Sequence, residues 1–376
     1  MFSFEVTHTC GSARRGVLAT PHGPVNTPAF MPVGTAGSIK GVTPVQLRAT
    51  GTQIILANTY HLQLRPTAEV VRDLGGLHRF MGWDGPILTD SGGYQVFSLA
   101  GINRVADEGV EFRSHIDGSP MRLDPRIAID VQNKLGADII MAFDQCPPLP
   151  SDAEAIRAAV DRTIRWAREC KGFHRRADQA LFGIVQGGLD VQERGRCTQA
   201  LLDIGFDGYA VGGLSVGESR QEMLDVLGPV VSLLPADRPR YLMGVGTPGD
   251  ILAAVSLGVD IFDCVLPTRN GRNSEAFTST GVLKMRNQKH RLDEDPFEPG
   301  CDCEACTRFS RGYIRHLFNA GEMLGPTLTS IHNLRFYQRF MTRVRDLLCA
   351  GQLARIVDEY PIASRGAVVV DPEESP

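Results

Sequence analysis

The chain has 376 residues, 43% hydrophobic and 22% charged, with a formal net charge of -4. That length allows two or three domains or a single α/β barrel with insertions. The charge excludes a global pull toward nucleic acid, and no run approaches the ~20 apolar residues of a membrane span.

In chain order, the first apolar strand covers residues 30–33, and Thr43-Pro44 then opens a helix with a cap and a proline at its first position. A pattern of helix, glycine turn and short apolar strand recurs at 49–58, 135–144, 204–213 and 257–265. Further strands are expected at 87–90, 181–186 and 240–243, which makes about eight, the number that closes a parallel barrel. Between them, an insertion at 104–121 has the Asp117-Gly118 turn of a hairpin and could lid the barrel mouth. Ser151-Asp152-Ala153-Glu154 predicts a capping box for a helix whose apolar face is Ile156, Val160, Ile164 and Ala167. Thr247-Pro248 repeats the cap-then-proline device, and 267–272 is expected to be a loop. Past Val265 the periodicity stops. Two short strands at 276–285 surround Ser279-Thr280-Gly281, helices follow at about 311–322 and 329–350, and residues 371–376 are expected to be a disordered tail. The fold class expected is thus a (β/α)8 TIM barrel, one domain over 1–376. The alternative, an open doubly wound sheet, lacks a GxGxxG after its first strand.

Parallel barrels place chemistry at the C-terminal ends of their strands. Those ends are Asn58, Asp90, Asp144, Gln186, Gly212-Gly213, Met243-Gly244 and Asp263. Asp263, inside an apolar strand, is either a nucleophile or a structural aspartate bonded to loop amides. Arg269 and Arg272 behind it favour chemistry on a nucleotide or nucleic acid. In the run from Thr89 to Gln95, Asp90 ends a strand, Gly92 and Gly93 allow close backbone approach to a ligand, and Tyr94 could stack on a base. The plainer alternatives are a helix N-cap at Asp90 or Ser91 and a core position for Tyr94. Asp90 and Asp263 facing each other at ~5 Å would resemble the paired carboxylates of retaining glycosidases, which suggests chemistry at an anomeric carbon.

Of nine cysteines, Cys10, Cys146, Cys170, Cys197, Cys264 and Cys349 are scattered, which fits a reduced, cytoplasmic protein. Cys301, Cys303 and Cys306 can reach one tetrahedral ion, and His316 or His332 could complete a Cys3His structural zinc site. Spacing alone leaves that choice open.

The runs FMPVGT, NTYHL, LTDSGGYQV, YAVGGL, YLMGVG, FDCVLPTRNGRN and CDCEAC followed by SIHN together resemble the tRNA-guanine transglycosylases of the bacterial queuosine pathway, in order over nearly the whole chain. The resemblance implies a modified TIM barrel with a zinc-binding subdomain at about 274–350, one structural Zn2+ per subunit, and a homodimer. It implies exchange of guanine at wobble position 34 for preQ1 in tRNAs with a GUN anticodon, those for Asp, Asn, His and Tyr. Asp263 would be the nucleophile and Asp90 the general acid and base. Ser91, Gly92, Gly93, Asp144, Gln186, Gly213 and Leu214 would bind the base, with Tyr94 and Met243 on its faces. Gly244, Val245, Gly246, Thr247, Pro248, Gly249, Asp250, Thr268, Arg269, Asn270, Gly271 and Arg272 would hold the RNA. His332 is the implied fourth zinc ligand. Ala57 and Ser274 stand where the family generally has glycine, and Cys146 resembles the bacterial, preQ1-using form.

Overall fold

Segments apolar on both faces become barrel strands, as in the run Ala180–Val185, where every residue is buried. In the computed structural model, which describes residues 2–99 and 103–364, the chain opens with three antiparallel strands, β1 (Ser3–Cys10), β2 (Ala13–Thr20) and β3 (Gly23–Thr27). The barrel begins with β4 (Ala29–Gly34), β5 (Ile55–Ala57) and β6 (Ile87–Thr89). An inserted antiparallel sheet of β7 (Asn103–Ala106), β8 (Gly109–Arg113) and β9 (Pro120–Leu123) comes next. The barrel resumes with β10 (Ile139–Met141), β11 (Ala180–Val185), β12 (Gly208–Val211), β13 (Arg240–Leu242) and β14 (Ile261–Cys264), and β14 pairs with β4 to close it. The eight barrel strands are those expected from the sequence, and all pair in parallel. A hairpin, β15 (Glu275–Thr278) and β16 (Gly281–Lys284), follows the barrel.

Four local expectations need correction. The helix Ala153–Phe173 is capped by Asp152, which accepts from Ala155 N at 2.8 Å, whereas the Ser151 hydroxyl donates to Pro148 O; no capping box forms. The segment expected as a loop at 267–272 is a short helix, Leu266–Arg272, with Pro267 in its first turn. The last long helix, Leu324–Cys349, begins five residues before the expected 329 because Gly325 and Pro326 are accommodated in its first turn. The insertion has a third strand, β7, besides the hairpin whose turn carries Asp117 and Gly118. Thr43 and Thr247 cap their helices as expected, each with a proline behind it. The tail expected at 371–376 lies outside the described residues.

The N-terminal sheet is absent from the sequence reading because β1 is largely exposed and shows no apolar run. It stoppers one pole of the barrel. Leu18 and Val25, with Phe2 and Phe4, join the inner cluster of Met31, Ile139, Phe182, Ile184 and Ile261, and the Phe2 ring stands 5.9 Å from that of Phe182. Arg14 pairs with fully buried Asp260, just before β14 begins, so this is the N-terminal pole. The mouth lies at the other.

Helix Leu324–Cys349 fastens the later segment to the barrel. Gln338 Nε2 donates to Phe30 O (3.2 Å), Arg345 Nη1 to Pro28 O (2.8 Å) and Tyr337 Oη to Gly246 O (2.7 Å). Asn333 Nδ2 donates to Pro267 O and Glu275 O, both at 2.9 Å. Helix Leu266–Arg272 packs so closely here that a Cβ on Gly271 would lie 2.9 Å from the Ser330 backbone. Among the described residues no helix is long and apolar enough to cross a membrane.

Candidate active site

The strand ends bring Asp90, Asp144 and Asp263 to the open pole, each on a different strand's C-terminal side. Asp90 is 7% exposed. Asn58 Nδ2 donates to its Oδ2 at 2.5 Å and Thr59 N to its Oδ1 at 2.8 Å, because both donors stand where β5 gives way to helix Thr59–Leu64. Burial pushes its carboxyl from the ordinary 3.8 up to about 7; the Thr59 and Gly92 amides oppose this, while the negative charges of Asp263 and Asp144 add to it. A group poised there exchanges protons readily near neutrality.

Asp263 is half-buried at the end of β14. Its Oδ1 accepts from Tyr241 Oη at 2.5 Å and Gly244 N at 2.8 Å, and among the described residues nothing donates to Oδ2. Burial raises this carboxyl too, against the Tyr241 hydroxyl and the Gly244 amide. The arrangement fixes one oxygen and leaves the other reachable from the mouth. Tyr241, fully buried, has its hydroxyl pushed well above the ordinary value by burial and by the Asp263 charge, so it stays a donor. It escaped the sequence reading, although period-two alternation on β13 puts it on the same inward face as Met243.

Asp144 accepts from Ser91 Oγ at 2.8 Å and Gln186 Nε2 at 2.7 Å, and burial raises its carboxyl despite both. The glycines around it serve the protein as much as a ligand: a Cβ on Gly93 would meet Asp144 O at 2.8 Å, and one on Gly213 would meet Gln186 Oε1 at 2.4 Å. Gln186 Oε1 is buried without a partner. Leu214 is buried, Cys146 lies beside Gly213 with its thiol pushed up to about 12 by burial, Met243 is half-buried, and Tyr94 is 50% exposed. From the inserted sheet, His115 Nδ1 pairs with Tyr60 Oη at 2.9 Å, tying the turn after β8 to the helix whose start holds Asp90.

Of the stretch expected to hold RNA, Gly244 and Arg269 are exposed and Thr247, Asn270 and Arg272 half-buried. Val245, Gly246, Pro248, Gly249, Asp250, Thr268 and Gly271 are buried and shape the rim. Asp250 is occupied by Arg220 and Thr247 Oγ1. Arg269 and Arg272 make no ion pair among the described residues, and burial followed by the Arg269 charge holds Arg272 below the ordinary value. Two unpaired guanidinium groups suit an anionic ligand.

The metal question resolves geometrically. His332 Nδ1 stands 3.7, 3.6 and 3.3 Å from the sulfurs of Cys301, Cys303 and Cys306. Zinc bonds of ~2.3 Å to sulfur and ~2.0 Å to nitrogen give tetrahedral edges of ~3.5–3.8 Å, so the four residues fit a structural zinc ion. His332 Nε2 pairs with Phe277 O at 2.7 Å, which keeps the proton on Nε2 and frees Nδ1 for metal. His316 is exposed on another helix and takes no part. A second cluster, His22, His78 and Asp138, lies at the stoppered pole. Its rings are stacked 3.5 Å apart at 15°, so their in-plane lone pairs lie in separate parallel planes and cannot share one ion. Both rings instead bond Asp138, at 2.8 and 3.1 Å. Burial raises that carboxyl, but the bonds from His78, His22 and Ile87 N outweigh it and hold it below the ordinary value.

A family model described as queuine tRNA-ribosyltransferase matches residues 9–363. Proteins named queuine tRNA-ribosyltransferase from Sphingopyxis alaskensis and Azotobacter vinelandii are 52% and 53% identical, over 97% and 98% of this chain and 99% of each relative. One from Pelotomaculum thermopropionicum is 53% identical over 95% of the chain and 97% of its own length. With a match that runs through every barrel strand and the Cys3His cluster, the chain belongs to the queuine tRNA-ribosyltransferase family.

Proposed function

We propose that this protein exchanges guanine 34 for preQ1 in tRNAs with a GUN anticodon, by double displacement on the barrel mouth. Asp263 Oδ2 attacks C1′ of the wobble nucleoside, the C1′–N9 bond breaks with its electrons passing to guanine, and Asp90 gives the departing base its proton. The incoming preQ1 then loses a ring proton to Asp90, its nitrogen attacks C1′, and the ester to Asp263 is released. One glycosidic bond replaces another, so no redox partner is needed. The base must leave the anticodon stack to reach between Tyr94 and Met243. Asp144 and Gln186 hold its polar edge, and the Arg269 and Arg272 side chains meet the flanking nucleotides.

The observation that carries this reading is the unequal pair: Asp263 with one oxygen fixed and one free, beside Asp90 poised near 7. Zinc, held by Cys301, Cys303, Cys306 and His332, has four protein ligands and therefore a structural part. In this reading residues 1–376 act as one barrel domain, with about 274–350 as its zinc-bearing subdomain. The working unit is a homodimer, for which exposed Tyr313, Met323 and Leu324 supply apolar surface. Nine unbridged cysteines support a reducing, cytoplasmic setting.

The test is incorporation of labelled guanine into an unmodified tRNA transcript with G at position 34. Wild type should incorporate label and form a tRNA adduct that survives a denaturing gel. Asp263→Asn should do neither, and an adduct with that variant would overturn the assignment.

A further inference from the structure

Arg194, on helix Val191–Ile204, is completely buried beneath the proposed base pocket, and burial holds it down to about 10. Among the described residues it makes no salt bridge, and the Glu218 charge offsets its burial only in part, which is costly for a guanidinium. Every bond it makes goes to a backbone carbonyl at the ends of β11 and β12: Nε to Gly188 O (2.7 Å), Nη1 to Val185 O (3.3 Å), and Nη2 to both Gly212 O (3.0 Å) and Gly213 O (3.2 Å). One turn further along, Cys197 Sγ accepts from Gln186 N at 3.4 Å, so the same helix face also sets the strand end that carries Gln186.

In a trans peptide the carbonyl and the N–H that follows it point in opposite directions. Drawing the Gly212 and Gly213 carbonyls down onto one guanidinium nitrogen therefore turns the N–H groups of Gly213 and Leu214 away from it, toward the pocket. Neither N–H meets an acceptor among the described residues, whereas the next two amides, Ser215 and Val216, are already taken by Glu218. Gly213 adopts φ +65°, a left-handed conformation of the kind that makes successive N–H groups converge on an oxygen. No side chain can replace these glycines without striking the Gln186 amide, which lies 2.7 and 2.4 Å from their Cβ positions.

We propose that Arg194 is a positioning residue that aims the Gly213 and Leu214 N–H groups as a two-donor cradle for the carbonyl oxygen of a 6-oxopurine or its 7-deaza analogue. The cradle strengthens as that oxygen gains negative charge when the base departs. The inference rests on the base-exchange reading and adds the device that orients its backbone donors.

Guanine exchange by wild type, Arg194→Lys and Arg194→Met, measured with guanine and tRNA varied separately, tests it. Misdirected donors should raise the KM for guanine about 10- to 100-fold and leave the KM for tRNA nearly unchanged, with Lys less affected than Met. Equal changes in both constants, or none, would overturn the proposal, because a purely structural arginine has no reason to distinguish base from tRNA. Where a variant does not fold, hydrogen–deuterium exchange on the wild-type chain decides: preQ1 should slow exchange across 211–216, and unchanged exchange there would refute the cradle. A wild-type protein that exchanges no base, yet shows that protection, would sink the base-exchange reading and leave the cradle standing.

Discussion

Replacing Asp90 by asparagine should abolish exchange and, at neutral pH, make the protein more stable. In the unfolded chain this carboxyl titrates near 3.8, whereas in the folded chain burial holds its proton up to about 7. Below 3.8 both states are protonated and the site costs nothing. Between the two values the cost grows by about 1.4 kcal/mol per pH unit, and above about 7 it reaches its full size of about 4 kcal/mol. Asparagine removes the titration. It keeps an acceptor for Thr59 N but turns an NH2 toward Asn58 Nδ2, forfeiting a bond worth about 1–3 kcal/mol at every pH. That loss cancels when two pH values are compared. The stability difference, variant minus wild type, should therefore rise by about 3 kcal/mol between about pH 5 and about pH 8. Urea denaturation followed by fluorescence of buried Trp83 and Trp166 measures it. A difference that stays constant with pH would show that Asp90 titrates normally, and near-normal turnover by the variant would remove it from proton transfer.

Tyr241→Phe deletes the hydroxyl that lowers the Asp263 carboxyl; with about 1.5–3 kcal/mol lost from a charged hydrogen bond, the acid limb of the pH–rate profile should move up by about 1–2 pH units, and an unmoved limb would dissociate Tyr241 from the nucleophile. His332→Ala should lose zinc on dialysis and melt earlier while His316→Ala keeps both, as metal analysis and calorimetry would show; full metal content in His332→Ala would refute the ligand set. Gly271→Ala places a methyl 2.9 Å from the Ser330 backbone, so about 1–3 kcal/mol of stability should go, together with tRNA affinity as Arg269 and Arg272 shift. Unchanged stability by denaturant titration would mean that the two helices part freely.

Barrel strands were legible because burial on both faces leaves unbroken apolar runs, and their polar ends pointed to Asp90, Asp144, Gln186 and Asp263. Tyr241 and Arg194 resisted for a different reason. Each acts through a partner remote in sequence, and a tyrosine or arginine alone carries no mark of what it will touch. The stoppering sheet was invisible since β1 shows solvent most of its length. Ser274 is a residue whose strain came only with geometry: its φ of +64° is a conformation glycine takes without strain, which fits the glycine that the family resemblance implies there. The TRNGR run read as a loop because glycine usually breaks helices; here Gly271 is the point where one helix must touch another.

A barrel closed at one pole by Phe2, Phe4, Leu18 and Val25 has a single doorway. Outgoing guanine and incoming preQ1 must use it in turn and occupy the same seat, so each excludes the other. Free guanine should then compete with preQ1 whatever the tRNA concentration. Because the bond made and the bond broken are of one kind, the direction of net traffic is set by the relative supply of the two bases and the relative stability of their glycosidic bonds rather than by any energy source within the molecule.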